Sequence, residues 1–131
     1  MGSIKSFKDI KAWQRGMQLT RDVYHATQKT PFSRDFPLRN QLWRAAISIP
    51  SNIAEGFERE GTKEFIQFLT IAKGSTGEVQ TQLQIAFDVG YLTETQFKSM
   101  DSLCNELIFL ISGFLRYLRS SGISGNKFNR S

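Results

Sequence analysis

The chain has 131 residues, 40% hydrophobic and 22% charged, which suits one globular domain with a core of its own. Its single cysteine, Cys104, can form no internal disulfide and no cysteine cluster for zinc, so the expected setting is reducing and cytoplasmic. An excess of 17 Lys and Arg over 12 Asp and Glu gives +5, a balance that serves nucleic-acid or anionic partners and plain solubility equally well.

In chain order, the first predicted helix runs from Lys8 to about Lys29, with Ser6 as N-cap. Ile10, Trp13, Met17, Thr20, Tyr24 and Thr27 recur on one face. The segment TPFSRDFP, Thr30 to Pro37, holds two of the three prolines and reads as a loop. A second helix is predicted from about Leu38 to Arg59, interrupted by Pro50. Proline removes a backbone donor and presses on the carbonyl four residues back, here Ala46, at a cost of about 3 kcal/mol. Leu42, Ala46, Ile49, Ile53 and Phe57 nevertheless keep helical spacing across it, which favours one kinked helix. The alternative is a break, with Ser48 capping a new helix that has Pro50 in its first turn.

Gly61 and Thr62 punctuate the chain as a helix stop and the next N-cap. The third helix carries the stripe Phe65, Leu69, Ala72, Thr76, Val79, Leu83 and Ala86 and stops at Gly90. Gly74 and Gly77 leave room within it for another backbone. Thr93 and Gln96 form a capping-box pattern ahead of a fourth helix whose stripe is Phe97, Met100, Leu103, Leu107, Leu110, Phe114 and Leu118. The predicted architecture is an all-α, antiparallel up-down four-helix bundle over residues 1–119, followed by a flexible Gly/Ser-rich tail at 120–131. The apolar run Leu107 to Leu115 is too short to span a bilayer, no signal-peptide pattern opens the chain, and no membrane partner is expected. Within it, LIFLI at 107–111 is apolar all round. Either the fourth helix is unusually central, or Ile108 and Phe109 form a patch that self-association buries.

Catalytic signatures are weak. His25 is the only histidine, which excludes two-histidine metal sites. Glu55, Glu58, Glu60 and Glu64 crowd the second hairpin, but Arg59 and Lys63 neutralise them, so a charged, solvated hairpin is expected rather than a metal site. Ser48 and Ser51 lack a neighbouring base. No catalytic residue, metal or cofactor is predicted. SIPSN reads as structural: Ser48 and Asn52 would satisfy backbone groups freed at Pro50, and Glu55 would pair with a cation on a neighbouring helix or subunit. The candidates for phosphate contact are Lys8, Lys11 and Arg15 on the first helix, with Arg116 and Arg119 closing the fourth beside Lys127 and Arg130. Their plainer reading is a solvated face.

The runs SFKDIKAWQ, LRNQLWRAAISIPSNIAEGFER and TKEFIQFLTIAKGSTGEVQTQLQIAFDVGYL together resemble the bacterial four-helix bundle family linked to intervening sequences of 23S ribosomal RNA genes. The most specific positions are Gln41, Arg44, Ala45, Ala46, Ser48, Pro50, Asn52, Ile53, Ala54, Glu55 and Gly56. Thr76 and Gly77 depart from the bulkier Leu and Ala expected there. The resemblance implies four-helix bundles, often ring-shaped homopentamers. It also implies kinship with the accessory proteins of diversity-generating retroelements, which bind nucleic acid and a reverse transcriptase. It brings no established enzymatic activity, and because a cellular RNase removes the intervening sequences themselves, the reading frame need not encode the nuclease. Two functions follow as expectations: an oligomeric accessory protein with weak, nonspecific nucleic-acid binding, or a scaffold holding an enzyme such as a reverse transcriptase.

Overall fold

The computed structural model describes residues 4–121, so the predicted flexible tail falls almost wholly outside the described residues. These residues form four α-helices: α1 (Lys11–Ala26), α2 (Phe36–Glu58), α3 (Thr62–Asp88) and α4 (Glu94–Ser120). The helix α1 packs on α2 and α4, α2 on α3, and α3 on α4, closing a ring around one core.

The start of α1 differs from expectation. Ser6 does build a capping box with Asp9, but it caps a separate 3-10 turn, Phe7–Asp9. Ile10 then adopts an extended conformation, φ −78° and ψ 122°, which breaks the helix before Lys11. The buried face of α1 is Ala12, Gly16, Leu19 and Val23, whereas Trp13, Met17 and Thr20 only flank the core and Tyr24 is exposed. The reason is close approach to α2. A Cβ on Gly16 would lie 3.1 Å from Ile49 Cγ2 and 3.3 Å from Pro50 Cδ, so the smallest residue occupies the tightest contact.

Phe32 is buried within a second 3-10 turn, Phe32–Arg34, and Asp35 caps α2 by accepting from the Leu38 amide. The helix then runs unbroken through Pro50, so the break-and-restart alternative does not occur. The carbonyl of Ala46, deprived of its i+4 donor, lies 3.2 Å from Thr20 Oγ1 of α1, whose proton is shared with the Gly16 carbonyl at 2.8 Å. A neighbouring helix thus supplies what proline withholds.

Successive contacts fix the register of α1 on α2: Gly16 meets Ile49 and Pro50, Thr20 meets Ala46, and Thr27 meets Trp43. Between α2 and α3 the approach is closest at Gly56, where a Cβ would sit 2.8 Å from Phe68 Cβ and 2.9 Å from Phe65 Cδ1. Gly61 rather than Thr62 is the N-cap of α3, and Thr62 is buried in its first turn. The whole expected stripe from Phe65 to Ala86 is buried. Each fully buried side chain of Leu or Phe size contributes about 1.5–3 kcal/mol. Gly74 and Gly77, expected to admit another backbone, face open space. At the other end of α3, Gly90 at φ 87° accompanies bonds from its own amide to Phe87 and from the Tyr91 amide to Ala86, the hydrogen-bond pattern of a Schellman stop.

The capping box of α4 forms as read, Thr93 with Gln96. Its seam is Met100, Cys104, Leu107, Ile111, Leu115 and Leu118, so Leu103, Leu110 and Phe114 lie on its margin rather than at its centre. Edge-on aromatic contacts of Phe57 with Phe65 at 6.0 Å, and of Phe65 with Phe114 at 5.3 Å, tie α2, α3 and α4 together. Within LIFLI, Phe109 alone is strongly exposed, at 71%, while Ile108 is half-buried.

Candidate nucleic-acid interface

The basic residues expected on one helical face are divided among different settings. Lys8 sits in the 3-10 turn, Lys11 opens α1, and both are exposed. Arg15 is half-buried, its Nε 2.9 Å from Glu106 Oε2 of α4, so its charge already has a partner. Arg116 and Arg119 are exposed on the last turns of α4, where cations complement the helix dipole. Ten residues at 1.5 Å each put about 15 Å of helix between the Arg15–Glu106 pair and Arg116. The two groups therefore do not form one cluster. Lys127 and Arg130 lie outside the described residues.

The hydrogen bonds of the SIPSN segment are more local than the sequence implies. Ser48 Oγ pairs with Ser75 Oγ of α3 at 2.8 Å, and Asn52 Nδ2 donates to both the Ser48 carbonyl and Ser48 Oγ at 2.8 Å. Asn52 thus secures the turn around Pro50 and Ser48 joins it to α3, while the carbonyl opposite Pro50 is served by Thr20. Glu55 does not reach a neighbouring helix: it accepts from Arg59 at 2.7 Å, one turn along. Arg59 also lies 3.9 Å from Glu64 and stacks over Phe68 at 5.0 Å. The acidic hairpin is therefore balanced by Arg59, with Lys63 taking no part in an ion pair among the described residues. A cleft along α2 and α3, about 310 Å³, is lined by Gln41, Arg44, Ser48, Ile71, Ser75 and Gln82, and the buried Gln82 Oε1 has no hydrogen-bond partner among the described residues.

Other reactive side chains are placed without the partners chemistry needs. His25 is exposed and lines a cleft of about 240 Å³ with Asp22 and Ser99, but no hydrogen bond joins the three. Burial, with Asp101 adding a smaller electrostatic effect, pushes the Cys104 thiol up to about 12, so it stays protonated and unreactive. No group of three or more metal-ligating side chains exists among the described residues. No helix there is long and apolar enough to cross a membrane.

One cluster escaped the sequence reading. Arg39 of α2 lies over the Phe36 ring at 4.7 Å and over the Trp43 ring at 4.4 Å, and Trp43 stacks on Tyr24 of α1 at 4.7 Å with 8° between the planes. The spacing of Phe36, Arg39 and Trp43 was a visible signal, since residues three and four apart share a helix face. Tyr24 was not visible without the α1–α2 register.

The model of the 23S rRNA-intervening sequence protein family matches residues 8–113, the greater part of the chain. The chain belongs to this family. A solved structure from Bacteroides thetaiotaomicron, described as a protein of unknown function from the S23 ribosomal protein family, has the same fold. It is 22% identical with a TM-score of 0.74, and the match covers 80% of this chain and 95% of that one. No curated protein matches. The intervening-sequence family thus accounts for the bundle and names no enzymatic reaction.

Proposed function

We propose that the protein is a cytoplasmic, non-enzymatic accessory protein that assembles as a ring-like homo-oligomer and holds nucleic acid weakly, through phosphates rather than bases. Five copies is the number the family resemblance implies. The observation that carries the nucleic-acid reading is the set of exposed cations at Lys8, Lys11, Arg116 and Arg119, none with a carboxylate partner among the described residues. Such cations bind by releasing counterions and discriminate little between sequences. The descending order of α2 contacts along α1 supports an antiparallel up-down bundle. The surrender of the Ala46 carbonyl to Thr20 supports a bend in α2 at Pro50. The 71% exposure of Phe109 supports self-association.

Titrating RNA and DNA at several salt concentrations tests the binding, with a steep fall in affinity as salt rises as the expected result. Light scattering tests the assembly, and a 15.0 kDa particle at micromolar concentration would remove the ring. A second reading, a scaffold holding an enzyme such as a reverse transcriptase, is favoured by one feature. A cleft of about 350 Å³ between α1 and α2 is lined chiefly by Trp13, Met17, Ile47, Pro50 and Ala54, an apolar surface suited to a protein side chain. Absence of nucleic-acid binding even at low salt would leave this scaffold as the better account.

A further inference from the structure

The column of Phe36, Arg39, Trp43 and Tyr24 lies outside the set of cations on which the nucleic-acid reading was built. Its middle is rigid. Arg39 donates from Nη1 to the Ser33 carbonyl at 2.9 Å and from Nε and Nη2 to Asn40 Oδ1, so the guanidinium plane is held between two rings. Trp43 Nε1 donates to Thr27 Oγ1 at 2.9 Å, and that hydroxyl donates to the Tyr24 carbonyl at 3.0 Å. Its ends are open: Phe36 is 56% exposed and Tyr24 38%.

The surroundings are cationic. Arg39 has no carboxylate partner among the described residues, and Arg21, Lys29 and Arg34 are exposed nearby on α1 and in the turns leading to α2. Two acids lie in this region, Asp35, which accepts from the Tyr91 hydroxyl at 2.8 Å and from the Leu38 amide, and Asp22, which accepts from Gln18; they keep their charge and are outnumbered by Arg21, Lys29, Arg34 and Arg39. Planar faces at the ends of a fixed aromatic stack, beside unpaired cations, match the chemistry of an unpaired base with its phosphate. Inside a duplex the bases are stacked on one another, so only its two terminal pairs present a face to Phe36, whereas every base of a single strand can. A two-fold contact with a second copy would set this cationic patch against itself.

We propose that this column is a stacking platform for single-stranded nucleic acid, with a base laid on the open face of Phe36 or Tyr24 and its phosphates drawn by Arg21, Lys29 and Arg34. The inference rests on the nucleic-acid reading above and adds to it a preference for unpaired strands.

The test measures fluorescence anisotropy of a labelled oligouridylate of about twelve nucleotides and of the corresponding RNA duplex, near 50 mM salt, as order-of-magnitude conditions. The proteins compared are the natural chain, Phe36→Leu, Tyr24→Leu and, as a control at an exposed apolar residue of α3, Ile85→Ala. Phe36→Leu keeps apolar bulk and removes the planar face, so stacking at about 1–3 kcal/mol per base predicts at least a fivefold loss for the single strand. Tyr24→Leu is expected to weaken the single strand in the same sense. Duplex affinity is expected to stay within about twofold in both, and Ile85→Ala to leave single-strand affinity unchanged. Equal losses for strand and duplex, an equal loss in Ile85→Ala, or no loss at Phe36 and Tyr24 would overturn the platform while leaving general phosphate binding intact. A change of particle size in Phe36→Leu would overturn it in favour of a self-association surface. If the natural chain binds neither probe, the broader nucleic-acid reading fails and the platform with it.

Discussion

Two glycines show how one atom decides between packing and propensity. At Gly56 a Cβ would press to 2.8 Å on Phe68 Cβ and 2.9 Å on Phe65 Cδ1, and Phe65 is itself held by Phe57 and Phe114. Ala at a helix position gains about 1 kcal/mol over Gly, but overpacking a filled contact costs about 1–3 kcal/mol. Backbone helices cannot yield as a side-chain tip can, so the packing cost wins. At Gly74 nothing stands within 4 Å, and only the propensity gain remains. Chemical denaturation should therefore find Gly56→Ala destabilised and Gly74→Ala stabilised by about 0.5–1 kcal/mol. Finding the same sign for both would contradict this account of α2–α3 contact.

At the scale of the element, α2 can remain one helix because α1 serves its missing hydrogen bond. The Ala46 carbonyl, without an amide at Pro50, takes Thr20 Oγ1 at 3.2 Å instead. Thr20→Val would leave that carbonyl unpaired at a buried residue, at a cost of about 1–3 kcal/mol. In a Pro50→Ala background the helix supplies its own donor, and Thr20→Val should cost about 1 kcal/mol less. Additive effects in that double-mutant cycle would show that Thr20 does not serve the carbonyl. The spacing of Leu42 to Phe57 was enough to read a continuous α2, and the apolar stripe of α3 was read in full, because both faces are marked by large side chains. In α1 the pattern selects Trp13 and Met17, which are large but only flank the core, and Tyr24, which is exposed. The buried face is built on Ala12 and Gly16, whose small size is the condition for close approach and leaves little trace in a hydrophobic pattern. The seam of α4 slipped for a related reason: LIFLI offers apolar residues in every direction, so periodicity cannot select among them.

For the whole molecule, the sequence could identify cations but not their partners. Lys8, Lys11 and Arg15 have helical spacing on paper, yet Ile10 separates Lys8 from α1 and Glu106 engages Arg15 at 2.9 Å. The consequence is that their charge reversals are not equivalent. Lys8→Glu with Lys11→Glu alters exposed cations that have no carboxylate partner among the described residues, and should leave helix content and particle size unchanged. Arg15→Glu would set two carboxylates together between α1 and α4, so its effect on binding would be mixed with lost stability. On the ring reading, Lys8 and Lys11 recur on every copy, and weak phosphate contacts gain from high local concentration, so a modest change per chain is multiplied in the assembly. The double variant should therefore bind RNA more weakly and show a shallower dependence of log affinity on log salt than the natural chain, with Arg15→Glu alone distinguished by a lower melting temperature. Unchanged affinity and salt slope in the double variant would clear the start of the chain and move the phosphate contacts to Arg116, Arg119 or the cations beside the aromatic column.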